Sequence, residues 1–162
     1  MNEQQLREAP LRARGHQFED FEVGQRFDHH WGRTLTAADS TLFSTLTLHF
    51  NPTYFNAEYA RELGYEGVAV NPLLAFNTVV GLSVEDLSEA GGPFLGIDNL
   101  VFLKAVYPGD TLYAKSVCVS KRMASSGKAG PVTWHTQGVN QRGEVVLEYD
   151  RTNLVRMRNA AQ

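Results

Sequence analysis

The feature that most constrains the fold is a stretch of about 15 residues that is apolar on nearly every side. It begins at Asn71-Pro72 and runs to about Leu87, before Gly91-Gly92-Pro93 breaks the chain. Asn71 is a typical helix N-cap and Pro72 a typical first helical residue, so the sequence predicts a helix here. A helix that is apolar all round is usually buried, and one of this length is too short to span a bilayer.

After this helix the apolar residues follow a period of two, which is typical of β-strands. Strands are predicted at residues 94–103, 111–121, 132–141 and 144–156, and an earlier one at about residues 25–34. The simplest packing wraps this antiparallel sheet around the one long apolar central helix, an α+β fold. The other face of the sheet is then bare or paired with a second subunit. Because bare apolar faces tend to become interfaces, we expect a homodimer or a higher homo-oligomer.

Two shorter helices are predicted between the first strand and the central helix. Thr36, with Asp39 three residues on, forms a capping-box-like start for a helix that ends near Thr47. A second helix covers about residues 56–63, and Gly64 is a typical C-cap.

A polar turn lies between these two helices, at residues 48–56. Pro52 fixes its own φ and moves Asn51 away from the helical region, so this segment is a shaped turn. His49, Tyr54 and Asn56 stand on it beside Asn51. Because loops on a rigid scaffold often carry function, these side chains are the first candidates for a site.

Composition excludes several classes of protein. The net charge of −3 gives no bulk electrostatic reason to bind nucleic acid. No apolar run approaches the roughly 20 residues of a membrane-spanning helix, and the first residues lack the apolar core of a signal peptide. We therefore expect a cytoplasmic protein without membrane association. Residues 1–17 are predicted as a flexible N-terminal arm, and residues 18–162 as a single domain.

The remaining histidines, cysteine and acidic residues are predicted to be structural or solvated. His29 and His30 alternate along a strand and face opposite sides, which favours a surface or interface role. Glu85 and Asp86 near the end of the central helix are expected in solvent. The single cysteine, Cys118, is expected in the core. No group of residues has the spacing of metal ligands, so no metal is predicted.

Four separated segments resemble the MaoC-like enoyl-CoA hydratase/dehydratase family. They occur in the family's order, at residues 18–24, 34–39, 51–60 (with Asn51-Pro52 and Ala60) and 106–112 (with Pro108-Gly109-Asp110). The resemblance covers about residues 18–156 and implies the hotdog fold. Residues 71–74 and 81–88 look more like one subgroup, whose members act on short branched dicarboxylic acyl-CoA esters such as mesaconyl-CoA or itaconyl-CoA.

The chain departs from the family's signature at two catalytic positions. The family's Asp position carries His49 and its His position carries Tyr54, whereas the Asn position keeps Asn51. The family's oxyanion contact follows a His-Gly pair that Asn71-Pro72 replaces here. Since Pro72 has no N–H, the Leu73 N–H is the candidate donor in its place.

The resemblance implies a lyase that adds or removes water across the double bond of a short enoyl-CoA thioester. Coenzyme A then enters only as part of the substrate, and no separate cofactor is expected. Histidine can do acid–base work near neutral pH, so His49 is the candidate acid–base group with Tyr54 and Asn51 as partners. Substrate-binding candidates are Asn56, Asn71, Leu73, Lys121 and Arg122, the last two for coenzyme A phosphates unless they belong to a solvated loop.

Two alternatives remain open at this point. Loss of both signature residues favours a non-catalytic acyl-CoA-binding or regulatory hotdog protein. A hotdog thioesterase is the third interpretation, but such enzymes often use a carboxylate on the central helix. Residues 73–82 contain none.

Overall fold

The computed structural model describes residues 15–158 and shows one five-stranded antiparallel sheet with helices packed on one face. The strands lie in the order β1-β3-β4-β5-β2, so β1 and β2 form the two edges. Their bounds are β1 Arg26–Thr34, β2 Phe94–Phe102, β3 Thr111–Lys121, β4 Ala129–Asn140 and β5 Val145–Arg156. The helices are α1 Ala37–Leu46, α2 Ala57–Glu62, α3 Pro72–Leu82 and α4 Val84–Leu87. The predicted α+β fold is confirmed. Most of the predicted N-terminal arm, residues 1–14, lies outside the described residues.

The helix starts follow from their capping residues. Thr36 accepts from the Asp39 N–H, and Asp39 accepts from the Thr36 N–H, which completes the predicted capping box of α1. Asn56 caps α2, and Gly64 after this helix has a φ of +87°, a conformation that favours glycine. Asn71 caps α3, with Pro72 at its first position as predicted.

The central helix is shorter and less buried than the sequence predicts. α3 ends at Leu82, Ser83 interrupts it, and one further turn, α4, follows. Ala75 and Val79 are buried in the core, while Leu73 is 40% exposed. The prediction of a helix buried all round is therefore wrong for the chain alone, because the sheet covers only one side of it.

The exposed apolar surface also lies elsewhere than predicted. The sheet face turned away from the helices carries polar side chains, among them Lys115, Gln137, Glu148 and Asp150. Exposed apolar side chains instead follow the edge strand β2 and the residue after it: Phe94, Leu95, Val101, Phe102 and Leu103. The outer face of the sheet is therefore more polar than the sequence argument assumes, and the β2 edge is one exposed apolar surface, beside a second one at α1 and the polar turn that includes Leu42, Leu46, Leu48 and Phe50.

The opposite edge strand, β1, has a different character. Arg26, Asp28, His30 and Arg33 are exposed along it, and its register with β3 shifts between Asp28 and Gly32. Exposed charge discourages a strand from pairing with another chain, whereas the register shift does not distinguish the two edges, because β2 also shifts against β5, between Phe94 and Gly96 and between Asp98 and Val101.

His29 corrects a second prediction, because it is 6% exposed and not a surface residue. Its Nδ1 donates to Asp86 Oδ2 at 2.6 Å, and its Nε2 accepts from the Ser116 hydroxyl at 2.9 Å. Asp86 is therefore a partner that fastens α4 to the sheet, whereas the sequence predicts it in solvent. Burial lowers the pKa of His29, although Asp86 opposes this effect.

Cys118 is fully buried, as predicted.

The Asp110 side chain connects the turn before β3 with the turn between β4 and β5 by hydrogen bonds. Gly109 has a φ of +100°, and Asp110 accepts from the Tyr107 N–H at 2.9 Å, from Gln141 Nε2 at 2.7 Å and from Arg142 Nη1 at 3.2 Å. Burial raises the pKa of the Asp110 carboxyl, but these donors together outweigh it and hold that pKa below the usual range.

None of the helices within residues 15–158 is long and apolar enough to cross a membrane.

We expect Asp110→Asn to lower the free energy of unfolding by about 1–3 kcal/mol at pH 7, since three donors then lose their charged acceptor at a buried position. The pKa of Asp110 is lower in the folded state, so the carboxylate stabilises the fold above the ordinary aspartate pKa. That contribution disappears as the pH falls through the folded-state pKa. Urea unfolding of both proteins at pH 7 and at acid pH measures the difference, which should shrink in acid.

Asp28→Asn is the matched control, because the Asp28 side chain is 81% exposed and contacts only Lys115 at 3.5 Å among the ion pairs of the described residues. Exposed pairs contribute little to stability. Equal effects of the two substitutions at pH 7 would contradict the role given to Asp110.

Candidate functional site

The polar turn lies between α1 and α2, against the start of α3. Leu48 enters it with a φ of +55°, an uncommon conformation for a branched side chain. A short 3-10 turn, Pro52–Tyr54, follows, and Asn51 Oδ1 accepts from the Thr53 N–H at 3.0 Å. The turn is therefore shaped by its own backbone and by Pro52, as the sequence predicts.

Asn71 connects this turn to the central helix. Its side-chain Nδ2 donates to His49 Nδ1 at 3.0 Å and to Ser44 Oγ at 2.9 Å, and its backbone N–H donates to Ser40 Oγ at 3.0 Å. Asn71 and Ser44 are fully buried. One amide thus fixes the position of His49 relative to α1 and α3.

This arrangement determines which nitrogen of His49 carries a proton. Asn71 Oδ1 accepts from the Leu73 N–H, so its Nδ2 is the group that faces His49. An amide nitrogen only donates, and His49 Nδ1 must therefore be the acceptor. The neutral ring then carries its proton on Nε2, which is a donor in this state.

Tyr54 lies beside His49 at the rim of a cavity of about 270 Å³. The two rings are 5.4 Å apart and nearly perpendicular. Burial raises the pKa of Tyr54, which makes its phenol a donor and a poor base near neutral pH. The predicted catalytic residues His49 and Tyr54 are therefore brought together, and Tyr54 lines the cavity.

The cavity opens at the start of α3 and is mostly apolar. Its lining combines the helix start with the segment after β2 and the start of β5, including Pro72, Ala75, Leu103, Val106 and Leu147. Lys104 is the one charged residue among the described residues that line it, and its Nζ bonds Glu144 Oε1 at 2.6 Å. A cavity of this kind suits an acyl chain more than a polar ligand.

Three predicted site residues have structural bonds in this state. Asn51 Oδ1 caps the 3-10 turn, and Asn56 Oδ1 accepts from the N–H groups of Glu58 and Tyr59. The Leu73 N–H is occupied by Asn71 Oδ1 at 3.0 Å. Their predicted roles toward water or substrate stay predictions, and the role of Leu73 requires that its bond to Asn71 opens.

Lys121 and Arg122 lie at the other end of the sheet. The cavity is near the start of β3, and Lys121 ends this strand ten residues later, about 33 Å away at about 3.3 Å per residue. Lys121 Nζ donates to the Phe21 carbonyl oxygen at 2.7 Å and lies over the Phe18 ring. The structure therefore separates this pair from the cavity, because strand β3 carries it to the opposite end.

Sequence reasoning missed Ser40, Ser44 and the lining contributed by residues 102–106. The two serines are spaced by four residues on α1, which places them on one helix face. A pair of serines at that spacing facing the core was an available signal. No group of three or more His, Cys, Asp or Glu residues within 15–158 is arranged to hold a metal ion.

Comparison with known proteins gives the family. The model of the family described as mesaconyl-CoA hydratase matches residues 2–162. A mesaconyl-CoA hydratase from Haloarcula hispanica is 39% identical over 158 residues, which are 96% of this chain and 44% of that protein. A β-methylmalyl-CoA dehydratase from Chloroflexus aurantiacus is 39% identical over 145 residues, 90% of this chain and 41% of that protein. The chain thus spans less than half the length of these relatives.

Solved structures give the fold. A MaoC domain protein from Chloroflexus aurantiacus superposes with a TM-score of 0.86 at 38% identity, covering 91% of this chain and 42% of that one. A Mycobacterium tuberculosis protein with a double hotdog fold has a TM-score of 0.77 at 19% identity, covering 91% of this chain and 46% of that one, and supports the fold alone. The predicted hotdog fold and the MaoC-like resemblance are confirmed. The chain belongs to the mesaconyl-CoA hydratase family of MaoC-like hotdog proteins.

Proposed function

We propose that this chain binds a short enoyl-CoA thioester, of the branched dicarboxylic kind, and adds or removes water across its double bond. The observation that carries the proposal is the apolar cavity at the start of α3, which Tyr54 lines, with His49 in ring contact with Tyr54 and hydrogen-bonded to Asn71. Two relatives of about 39% identity are a mesaconyl-CoA hydratase and a β-methylmalyl-CoA dehydratase, which supports the same acyl class here.

Hydration requires donors for the enolate oxygen and a group that moves protons to and from water. In the proposed site His49 Nε2–H donates to water or to the thioester carbonyl, while the start of α3 supplies a favourable dipole for developing negative charge. His49 accepts a proton as a base only after its tautomer changes, because Asn71 occupies Nδ1. Tyr54 donates a second hydrogen bond.

The second candidate is an acyl-CoA-binding hotdog protein without turnover. Two observations favour it: the Asn71 bond holds His49 in the donor tautomer, and burial raises the pKa of Tyr54. Neither group is then a ready base.

We also propose a cytoplasmic location for this protein. The free thiol of Cys118 in the core supports it, since reducing compartments keep thiols free.

We expect the protein to consume mesaconyl-CoA in an assay that follows the enoyl absorbance, with crotonyl-CoA and itaconyl-CoA as comparison substrates. If His49 transfers protons, His49→Ala lowers kcat by about 10²- to 10⁴-fold, the usual contribution of a general acid–base group. His135→Ala is the control, because His135 lies on the opposite face of the sheet.

Three outcomes separate the candidates. Tight binding of the esters without turnover of any of them supports the binding protein. Turnover that His49→Ala leaves unchanged removes His49 from the mechanism. If the protein shows no binding and no turnover of these esters, the whole proposal is contradicted.

The His49 tautomer is a separate prediction. Nitrogen-15 chemical shifts of the imidazole in the intact protein should show a proton on Nε2 and none on Nδ1, because Asn71 Nδ2 donates to Nδ1. Asn71→Asp should reverse this, since a carboxylate at the same place accepts from Nδ1–H and still caps α3. A wild-type protein with its proton on Nδ1 would show that the Asn71 bond is not made in solution.

We also propose that two copies pair through β2. An edge strand offers unpaired N–H and C=O groups, and Phe94, Leu95 and Val101 add exposed apolar side chains beside them. An antiparallel pair of β2 strands joins the two sheets into one. Such an isologous contact places the same surface of both copies in the interface.

Leu95→Glu should convert the dimer to a monomer in sedimentation velocity, because two like charges then enter the paired edge. Val119→Glu is the control, since Val119 is similarly exposed (44% against 54%) but lies on β3. A wild-type monomer, or a dimer that only the control disrupts, would refute pairing through β2.

A further inference from the structure

Lys104 brings a positive charge to a cavity that is otherwise apolar. It is the one charged residue among the described residues that line this cavity, and Tyr54 lines the same space. The other lining side chains are aliphatic or aromatic, for example Ala75, Val106 and Leu147. In ligand sites a few placed polar groups in an apolar lining fix orientation and specificity. Lys104 is therefore the lining residue that can distinguish a charged acyl chain from an uncharged one.

Backbone hydrogen bonds hold Lys104 beside the cavity. The N–H groups of Leu103 and Lys104 both donate to the carbonyl oxygen of Val146 on β5, at 2.8 and 3.2 Å. Two residues later, the Val106 carbonyl oxygen accepts from the Val70 N–H at 2.8 Å, just before α3. The segment is thus fastened on one side to the sheet and on the other to the chain that enters the central helix.

A second cavity, of about 570 Å³, adjoins the first at Lys104 and Ala105, which line both. This second cavity is polar, and Arg142 and Glu144 are among its lining residues. Lys104 Nζ donates to Glu144 Oε1 at 2.6 Å, and the Lys104 side chain is 52% exposed. Lys104 therefore stands at the boundary between an apolar space and a polar one.

The bond to Glu144 leaves Lys104 able to bind a further acceptor. An ammonium group has three N–H donors, and among the described residues Lys104 makes one hydrogen bond, to Glu144. Hydrogen bonds from Asn140, Lys104 and Arg142 lower the pKa of this carboxyl to about 2. Because Arg142 Nε also donates to Glu144, at 2.9 Å, the carboxylate keeps a cation when Lys104 turns towards a ligand.

We propose that Lys104 binds the free carboxylate of a dicarboxylic acyl group whose thioester lies beside Tyr54. This inference rests on the proposed binding of CoA thioesters in the cavity, and it names the side chain that recognises the acid. Both residues line the same cavity of about 270 Å³, so a short acyl chain can extend from one to the other. An acyl group without the acid leaves Lys104 with Glu144 and gains no ion pair.

The test compares two saturated esters that differ only in the acid, so that binding is measured without hydration. Methylsuccinyl-CoA carries the free carboxylate, and the matching isomer of methylbutyryl-CoA has a methyl group in its place. Calorimetry on the intact protein gives the Kd of each. We expect methylsuccinyl-CoA to bind about fivefold more tightly, a modest ratio because Lys104 is half-exposed and water screens its charge.

Four variants test the role of Lys104 in this ratio of Kd values. Lys104→Gln should reverse the preference, since the carboxylate then enters an apolar cavity without a cation, whereas Lys104→Arg keeps the charge and should retain it. Glu144→Gln should raise the ratio about two- to fivefold, because it removes a charge that competes for Lys104. Lys115→Gln is the matched control: it removes a similarly exposed cation (60% against 52%) from the outer face of the sheet, and the ratio should not change.

The possible failures are distinguishable. Equal binding of both esters by the wild-type protein overturns the carboxylate site and leaves the proposed function standing. Equal weakening of both esters by Lys104→Gln places Lys104 against the coenzyme A part of the ligand and also overturns it. A preference for methylsuccinyl-CoA that survives Lys104→Gln assigns the acid to another group, with the same consequence. If neither ester binds, the proposed CoA-thioester binding fails, and this inference fails with it.

Discussion

The hydrogen bonds of one buried amide determine the geometry at the start of α3. Asn71 uses its oxygen to cap α3 and its nitrogen to hold His49 and Ser44, and its backbone N–H reaches Ser40. Asn71, Ser40 and Ser44 are buried, which makes an unmade bond among them expensive. The polar turn, α1 and the central helix are therefore locked in one arrangement, and the rim of the cavity follows from it.

This constraint also explains why the altered signature is chemically ambiguous. Replacing an acid by His49 and a histidine by Tyr54 keeps polar side chains on the turn but removes the ready base. A neutral imidazole locked with its Nδ1 as an acceptor works as an electrophile toward oxygen more easily than as a proton acceptor. In the proposed function, proton transfer would depend on a group that Asn71 restrains.

Local signals predicted most of the fold and less of the site. The capping residues Thr36 and Asn71 and the alternation along β3 act within a few residues of the chain, so they can be identified without a structure. The pairing of His29 with Asp86 joins residues 57 positions apart, and no local pattern encodes it. The distance of Lys121 from the cavity likewise depends on the direction of β3, which no local pattern gives, and its predicted role stays a prediction. The apolar composition of α3 was misinterpreted as complete burial because the sequence does not show which side lacks a cover.

The two edges of the sheet have unlike surfaces, and this difference bears on how far assembly can proceed. A sheet with two adhesive edges can add neighbours without end and grow into a fibre. Here β1 carries exposed charged side chains, while β2 carries exposed apolar ones. Once two β2 edges have met, only β1 edges remain outside. Growth by edge pairing is then self-terminating, so the same polypeptide can expose an apolar strand and still form a closed, finite particle.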